Sequence, residues 1–379
     1  MKHPNASSPT RPRDKRGRLP LLAVGTLGIA AICLWQFWPT EHATCEGDTC
    51  STSEVSAASR ATTMVQTPTL LPGQVVLQGH FVEGQAKLYS VEETVTTIHE
   101  QRRSASGNVI FDTYVGDIEV APTSLTRIEF VEAETCEELL DDGSAQIAYG
   151  VRSFAHSEHV DGEEVSSLRV QQASDLAALP QDRHAALVGS LMETPVRFRL
   201  TPDFAVSDLE LPGAAGGAST DALLDEYERS LEARFRGFFP GYPVAPGDTW
   251  ESELPLADSI AGSLYLGAER STTLRATFEE LVSYQGRDCA RIVIDLDFGI
   301  APGTSLARDT ITELFVDELT GRTEVLYDVE RGLVMQDRTH MTYAAHRVIG
   351  LEETEKIIVP FRIEKQVDSA FVGFDRVEG

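Results

Sequence analysis

Cysteine is scarce in this sequence, five in 379 residues, and the further cysteine or histidine ligands at close spacing that would complete a zinc site are missing. Basic residues are scarce beyond the first eighteen positions. Lys2, Arg11, Arg13, Lys15, Arg16 and Arg18 face Asp14 alone there, a charge of +5, so everything after Arg18 carries −32 of a −27 total. Such an acidic chain excludes nucleic acid as a partner, because phosphates demand a basic surface. It also argues against a chain lying flat on anionic lipid. Catalytic signatures are missing too: there is no Gly-x-Ser-x-Gly elbow, no phosphate-cradling Gly-x-x-x-x-Gly-Lys-Ser/Thr loop, no His-Glu-x-x-His helix and no EF-hand spacing. These absences leave no catalytic residue, no metal and no cofactor to name, and the expectation is a protein that is not an enzyme.

Long hydrophobic runs are equally rare, and the single one carries information. Leu19 to Trp38 is almost uncharged and apolar, and about 20 such residues cross a hydrocarbon core as a helix. Basic flanks stay in the cytoplasm, so residues 1–18 are expected there and the bulk of the chain outside it. Trp35, Phe37 and Trp38 suit the far interface. A cleaved signal peptide and secretion are the alternative, although that reading expects a shorter apolar region and a small-x-small site; Glu41-His42-Ala43 offers a small residue only at its end. Lipidation fits less well, since Ile32 stands directly before Cys33. The expected partner of residues 19–38 is thus the inner (cytoplasmic) membrane of a cell envelope.

Residues 39–72 are rich in Ser, Thr and Ala and read as a flexible linker, unable to bury enough surface to offset its conformational entropy. Cys45 and Cys50 lie in it and are expected to form a disulfide outside the cytoplasm. Whether Cys136 and Cys289 pair is left open by sequence. Residues 73–379 are expected to form one β-rich extracytoplasmic domain.

Within that domain the pattern is of short half-buried strands. Val75 to Val82, Lys87 to Glu100, Val109 to Val120 and Ser124 to Glu134 carry β-branched or aromatic residues between Gly, Pro and Asn breaks, with Ser106-Gly107-Asn108 as a hairpin turn. Arg291 to Phe298 is the clearest strand: Ile292, Ile294, Leu296 and Phe298 alternate with Arg291, Val293, Asp295 and Asp297. Ile311 to Asp317 and Arg322 to Tyr327 are expected to form a hairpin, with Gly321 at positive φ in its turn. Gly332 to Tyr343 and Ile357 to Lys365 extend an antiparallel meander. Two helices are expected, over 181–192 and over 219–238. The second presents Leu223, Leu224, Tyr227, Leu231 and Phe235 at helical spacing, capped by Ser219, Thr220 or Asp221. The predicted architecture is mainly β (α+β): a curved antiparallel sheet or half-barrel with one or two packed helices.

Phe239 to Trp250 is the most distinctive stretch, with three prolines and two glycines in twelve residues. Pro246-Gly247 suits the centre of a type II turn, after which Trp250 is expected to open a strand and fill the core. With Pro240, Pro243, Val244, Gly247, Asp248 and Trp250 in place, the stretch resembles the DUF6263-like group of bacterial envelope proteins of unknown function. There a Pro-x-x-Pro-Val-x-x-Gly-Asp-x-Trp segment follows paired strands and a helix and precedes a strand meander. The resemblance spans roughly Gln74 to Tyr343. It implies an envelope location and a β-rich fold, and no reaction.

Weaker signals are His156, His159, Asp161, Glu163 and Glu164, whose donor types suit a divalent cation but whose acidic Gly-containing loop reads as a solvated turn. Asp295 and Asp297 share a strand face and read as solubilising charges rather than a catalytic pair. The expected function is binding of an apolar ligand or an envelope protein, with Leu223, Tyr227, Leu231, Phe235 and Trp250 as candidate ligand-binding residues. A structural or assembly component is the first alternative, and a hydrolase using acidic residues the second.

Overall fold

Alternation decides this fold. Along Arg291–Phe298, Ile292, Ile294 and Phe298 are buried and Leu296 packs beside them, whereas Asp295 and Asp297 are exposed. A period of two puts these sets on opposite faces of a strand. Val293 lies on the aspartate side yet is buried, so that face is partly covered as well.

The computed structural model describes residues 71–99, 102–104, 109–110, 114–115, 118–119, 123–171, 175, 191–210, 239–255, 271–308, 312–351 and 355–376. The first strands are β1 (Val75–Val76), β2 (Gln85–His99), β3 (Arg102–Ser104), β4 (Val109–Ile110), β5 (Tyr114–Val115) and β6 (Ile118–Glu119). The long strands β7 (Thr123–Leu139) and β8 (Ala145–Val160) follow, then β9 (Glu163–Val170), β10 (Val196–Leu200) and β11 (Val206–Glu210). The second half comprises β12 (Pro243–Val244), β13 (Thr249–Pro255), β14 (Ser271–Tyr284), β15 (Arg287–Asp297), β16 (Thr304–Arg308), β17 (Thr312–Asp328), β18 (Leu333–Leu351) and β19 (Glu355–Arg376). The described part is mainly antiparallel β, with a helical turn at 191–193.

One sheet dominates, in the order β11-β10-β8-β7-β2-β19-β18-β17-β15-β14-β13. The chain enters this sheet at its centre with β2 and walks outward to β11. It returns at the opposite edge with β13 and walks back until β19 lies against β2. One row of cross-strand partners shows how the interior is built: Phe278, Ile292, Val325, Asp337, Ser369, Val91, Phe130, Phe154 and Val170 are successive register partners from β14 to β9. The apolar members of that row are all buried in a single core cluster.

That cluster forces the sheet to curl. Phe204, in the turn after β10, stacks on Phe239 at 4.4 Å, and Phe239 lies 4.7 Å from Tyr327 of β17. In a flat sheet, strands spaced about 4.8 Å apart would hold β10 and β17 on the order of 30 Å from one another. The concave face therefore closes on a shared core, with Trp250 of β13 and Val206 of β11 in the same cluster.

Several sequence expectations need correction. No hairpin turn exists at 318–321: β17 runs through it unbroken, with a bulge between Val316 and Glu318. Gly321 is extended rather than at positive φ, and it is small because Leu296 approaches it; an added Cβ would lie 2.6 Å from Leu296 Cδ1. The strand expected over Val75 to Val82 is confined to β1, which pairs with β12, and residues 77–84 run on as an irregular strap. At the C-terminus β19 is far longer than the Ile357 to Lys365 segment read from sequence. β3 pairs with β4 across the predicted Ser106-Gly107-Asn108 turn, which itself lies outside the described residues. Of the helix expected over 181–192 only its end is described, where 191–193 are helical and Leu191 is buried.

The apolar segment 19–38, the linker with Cys45 and Cys50, and the helix over 219–238 with Leu223, Tyr227, Leu231 and Phe235 all lie outside the described residues. Among the described residues no helix is long and apolar enough to cross a membrane.

Candidate apolar cavity

Where the curled sheet closes at one end, a cavity of about 100 Å³ remains between β2, β7, β8 and β10 on one side and β17, β18 and β19 on the other. Its aromatic wall comes from three places. Phe81 belongs to the strap, Phe198 to β10 and Phe204 to the turn after it, and Phe239 opens the Pro/Gly/Trp stretch. Phe204 holds φ at 63°, a conformation that a bulky residue rarely takes. The turn enforces it: the Phe204 N–H donates to the Thr201 carbonyl at 2.9 Å, and the Thr201 N–H donates to the Ala205 carbonyl at 3.0 Å. The ring is thereby aimed inward, buried and stacked on Phe239.

The strap is held at both ends. The Tyr327 hydroxyl donates to the Gln78 carbonyl, the Gly79 N–H donates to the Pro202 carbonyl at 3.0 Å, and the Gly84 N–H donates to the Cys136 carbonyl at 2.9 Å. Gly332, between β17 and β18, sits at φ 63° against it; a Cβ there would come within 2.6 Å of the His80 amide nitrogen. Only glycine satisfies both the positive φ and this approach. Val82, 56% exposed, marks the rim.

The floor is polar, which sequence reading missed. Lys87, Glu134 and Tyr149 are register partners across β2, β7 and β8, and Tyr89 faces Glu132 one step along. The Tyr149 hydroxyl donates to Glu132 Oε2 at 2.7 Å. Lys87 Nζ lies 5.6 Å from the centre of the Phe81 ring, within the range of cation–π attraction. Burial lowers the Lys87 pKa, and the neighbouring Glu134 and Cys136 oppose that shift. Burial raises the Tyr89 pKa well above its ordinary value, reinforced by Glu134 and Glu132. The Cys136 thiol is pushed up by burial, then by Glu83, against the pull of Lys87. A signal for these residues existed: Lys87 and Glu93 keep the same parity as Val91 and Val95, so charge interrupts an apolar register of β2.

Trp250 opens β13 as expected, opposite Ala276, and is buried in the main core rather than on the cavity wall. Pro246-Gly247 forms the expected turn, with Gly247 at φ 95° and the Asp248 N–H donating to the Ala245 carbonyl at 3.0 Å. His156 and His159 do not converge. They are three positions apart on β8, so they point to opposite faces, and His159 Nε2 sits 3.9 Å from Glu164 Oε2. Among the described residues no group of three or more His, Cys, Asp or Glu side chains is arranged to hold a metal ion. Asp295 lies between Arg275 and Arg322 on neighbouring strands, and Asp297 accepts from the Gly299 N–H at 2.9 Å. Cys136 and Cys289 are both free and buried, in separate clusters.

No family model matches the chain, and no curated protein does. Among solved structures, one described as "Lipid-protein interactions in lipovitellin" is similar to it with a TM-score of 0.38 and 9% identity, over 79% of this chain and 26% of that one. The chain thus spans about a quarter of the length of that structure's chain. A second, described as "Asymmetric conductivity of engineered proteins", has a TM-score of 0.15 and 11% identity over 74% of this chain and 99% of its own. Both scores lie below 0.5.

Proposed function

We propose that this chain is a non-catalytic binding protein that takes the apolar part of a small ligand into the closed end of its curved sheet. We place it outside the cytoplasm, tethered through residues 19–38, as the one-sided basic flank and the Pro240–Trp250 resemblance imply. The observation that supports binding is the cavity itself: four phenylalanines on its wall and a few polar groups on its floor, the usual make-up of a small-molecule site. Its volume sets the scale. A 150 Å³ apolar cavity holds a benzene ring, so about 100 Å³ receives one end of a ligand whose remainder leaves past Val82.

The full chain, in nanodiscs of zwitterionic phosphatidylcholine, is the material for the test. Titration with the neutral fluorophore N-phenyl-1-naphthylamine should give saturable enhancement at one site per chain above empty nanodiscs. Phe81→Glu should abolish it while the circular dichroism spectrum stays unchanged, since Phe81 is only half-buried and lies in the strap. Enhancement no greater than that of empty nanodiscs would refute the reading, as would unchanged binding by the folded variant.

A further inference from the structure

The charge on the cavity surface narrows the ligand. Among the described residues lining it, Lys87 is the only cation, whereas Glu132, Glu134 and Asp337 are carboxylates. They come from β7 on one side and β18 on the other, so acid faces the space from both. An anionic headgroup brought into this space would meet them in a medium that screens charge poorly. A cationic one would meet them with Phe81, Tyr89, Phe204 and Phe239 supplying aromatic faces beside it. The wall already attracts a cation in this way, since Lys87 Nζ stands over the Phe81 ring. The acidity of the whole chain acts in the same direction at long range, raising the local concentration of cations.

We infer that the cavity selects an organic cation, an alkylammonium whose charged head pairs with Glu132 and Glu134 and whose carbon chain packs on Phe204 and Phe239. The inference deepens the binding reading above and rests on it. Lys87 then has a definite part. As the protein's own cation at the site it competes with the ligand, and its charge offsets part of that of its register partner Glu134 while the site is empty.

The experiment displaces N-phenyl-1-naphthylamine from the full chain in the same nanodiscs with three matched eight-carbon compounds: octylamine, octan-1-ol and octanoate. Octylamine should displace the probe at concentrations at least tenfold below those needed for octanoate, and added salt should narrow that gap. The Glu132→Gln/Glu134→Gln double variant should bring the ratio close to one, and Lys87→Met should tighten octylamine binding. If the double variant unfolds, the Lys87→Met arm and an Asp337→Asn variant carry the test. Octanoate displacing as well as octylamine, or octylamine binding unchanged by these substitutions, would overturn the charge assignment and leave the apolar cavity standing. A probe that binds but yields to none of the three compounds overturns it as well. A probe that does not bind defeats the binding reading itself.

Discussion

Glu93 shows what a single residue contributes in this interior. It is fully buried on the concave face of β2, and Lys365 Nζ from β19 lies 3.4 Å from its Oε2, with 12% of the lysine side chain exposed. Burial lowers the Lys365 pKa, and Glu93 opposes that shift by charge and hydrogen bonding. In the same register row, past Val367, Thr323 and Thr339 share a hydrogen bond at 2.9 Å, so a polar belt crosses the concave face apart from the cavity floor. A buried pair is costly to desolvate, and losing one partner strands the other. Glu93→Met or Lys365→Met alone should therefore cost about 3–5 kcal/mol, while the double substitution should lie near wild type or above it. Chemical denaturation of the four chains closes the cycle, and additive single effects would show that the two groups do not interact. The belt was invisible in sequence because alternation was followed through apolar residues alone, and Glu93, Lys365 and Lys87 sit in apolar register.

Whole strands were more legible than their ends. The alternation of β15 and the turn that launches β13 at Trp250 followed from local pattern, where each residue's partner is its own neighbour. The run through β17 did not, because Gly321 has two physical uses and sequence cannot choose between them. A hairpin would use its freedom at positive φ; the observed strand uses its missing side chain, to admit Leu296 of β15. The substitution Gly321→Val separates the two. In the observed register the new side chain meets the Leu296 side chain and its Cβ, so overpacking should cost about 1–3 kcal/mol by urea denaturation. A variant as stable as wild type would mean that Leu296 does not press on this position. The cavity floor is another case of partners from separate strands: Lys87 and Glu134, with Tyr149 next to them, meet only once β2, β7 and β8 are in register. The predicted helical face of Leu223, Tyr227, Leu231 and Phe235 lies outside the described residues, so the expectation that it lines the ligand site is neither met nor replaced there.

At the scale of the whole molecule, the sheet is two meanders that walk away from a common seam. β2 begins one of them and β19 ends the other, and Val91 against Ser369 is one rung of the ladder that joins them. The row from Phe278 to Val170 crosses that seam, and so does the cavity, whose lining comes from both halves. A chain ending at Leu351 would retain every other long strand yet lack the one that joins the halves. Such a truncation should be degraded by trypsin in minutes under conditions where the full chain persists, and adding the 355–379 peptide in trans should restore resistance. Persistence of the truncated chain would show that each half is stable alone.

The seam also has a consequence in time. A ribosome releases β2 well before β19, so the first long strand waits with one edge unpaired until β3 to β18 have all been made. Exposed edges invite pairing with other chains, and contacts between segments far apart in a sequence form slowly. If the domain is threaded across a membrane as an extended chain, that interval falls on the far side, beyond the reach of cytoplasmic chaperones. The repeated acidic residues of β2 and β7, among them Glu92, Glu93, Glu129, Glu132 and Glu134, would then keep newly arrived copies apart until the last strand closes the seam.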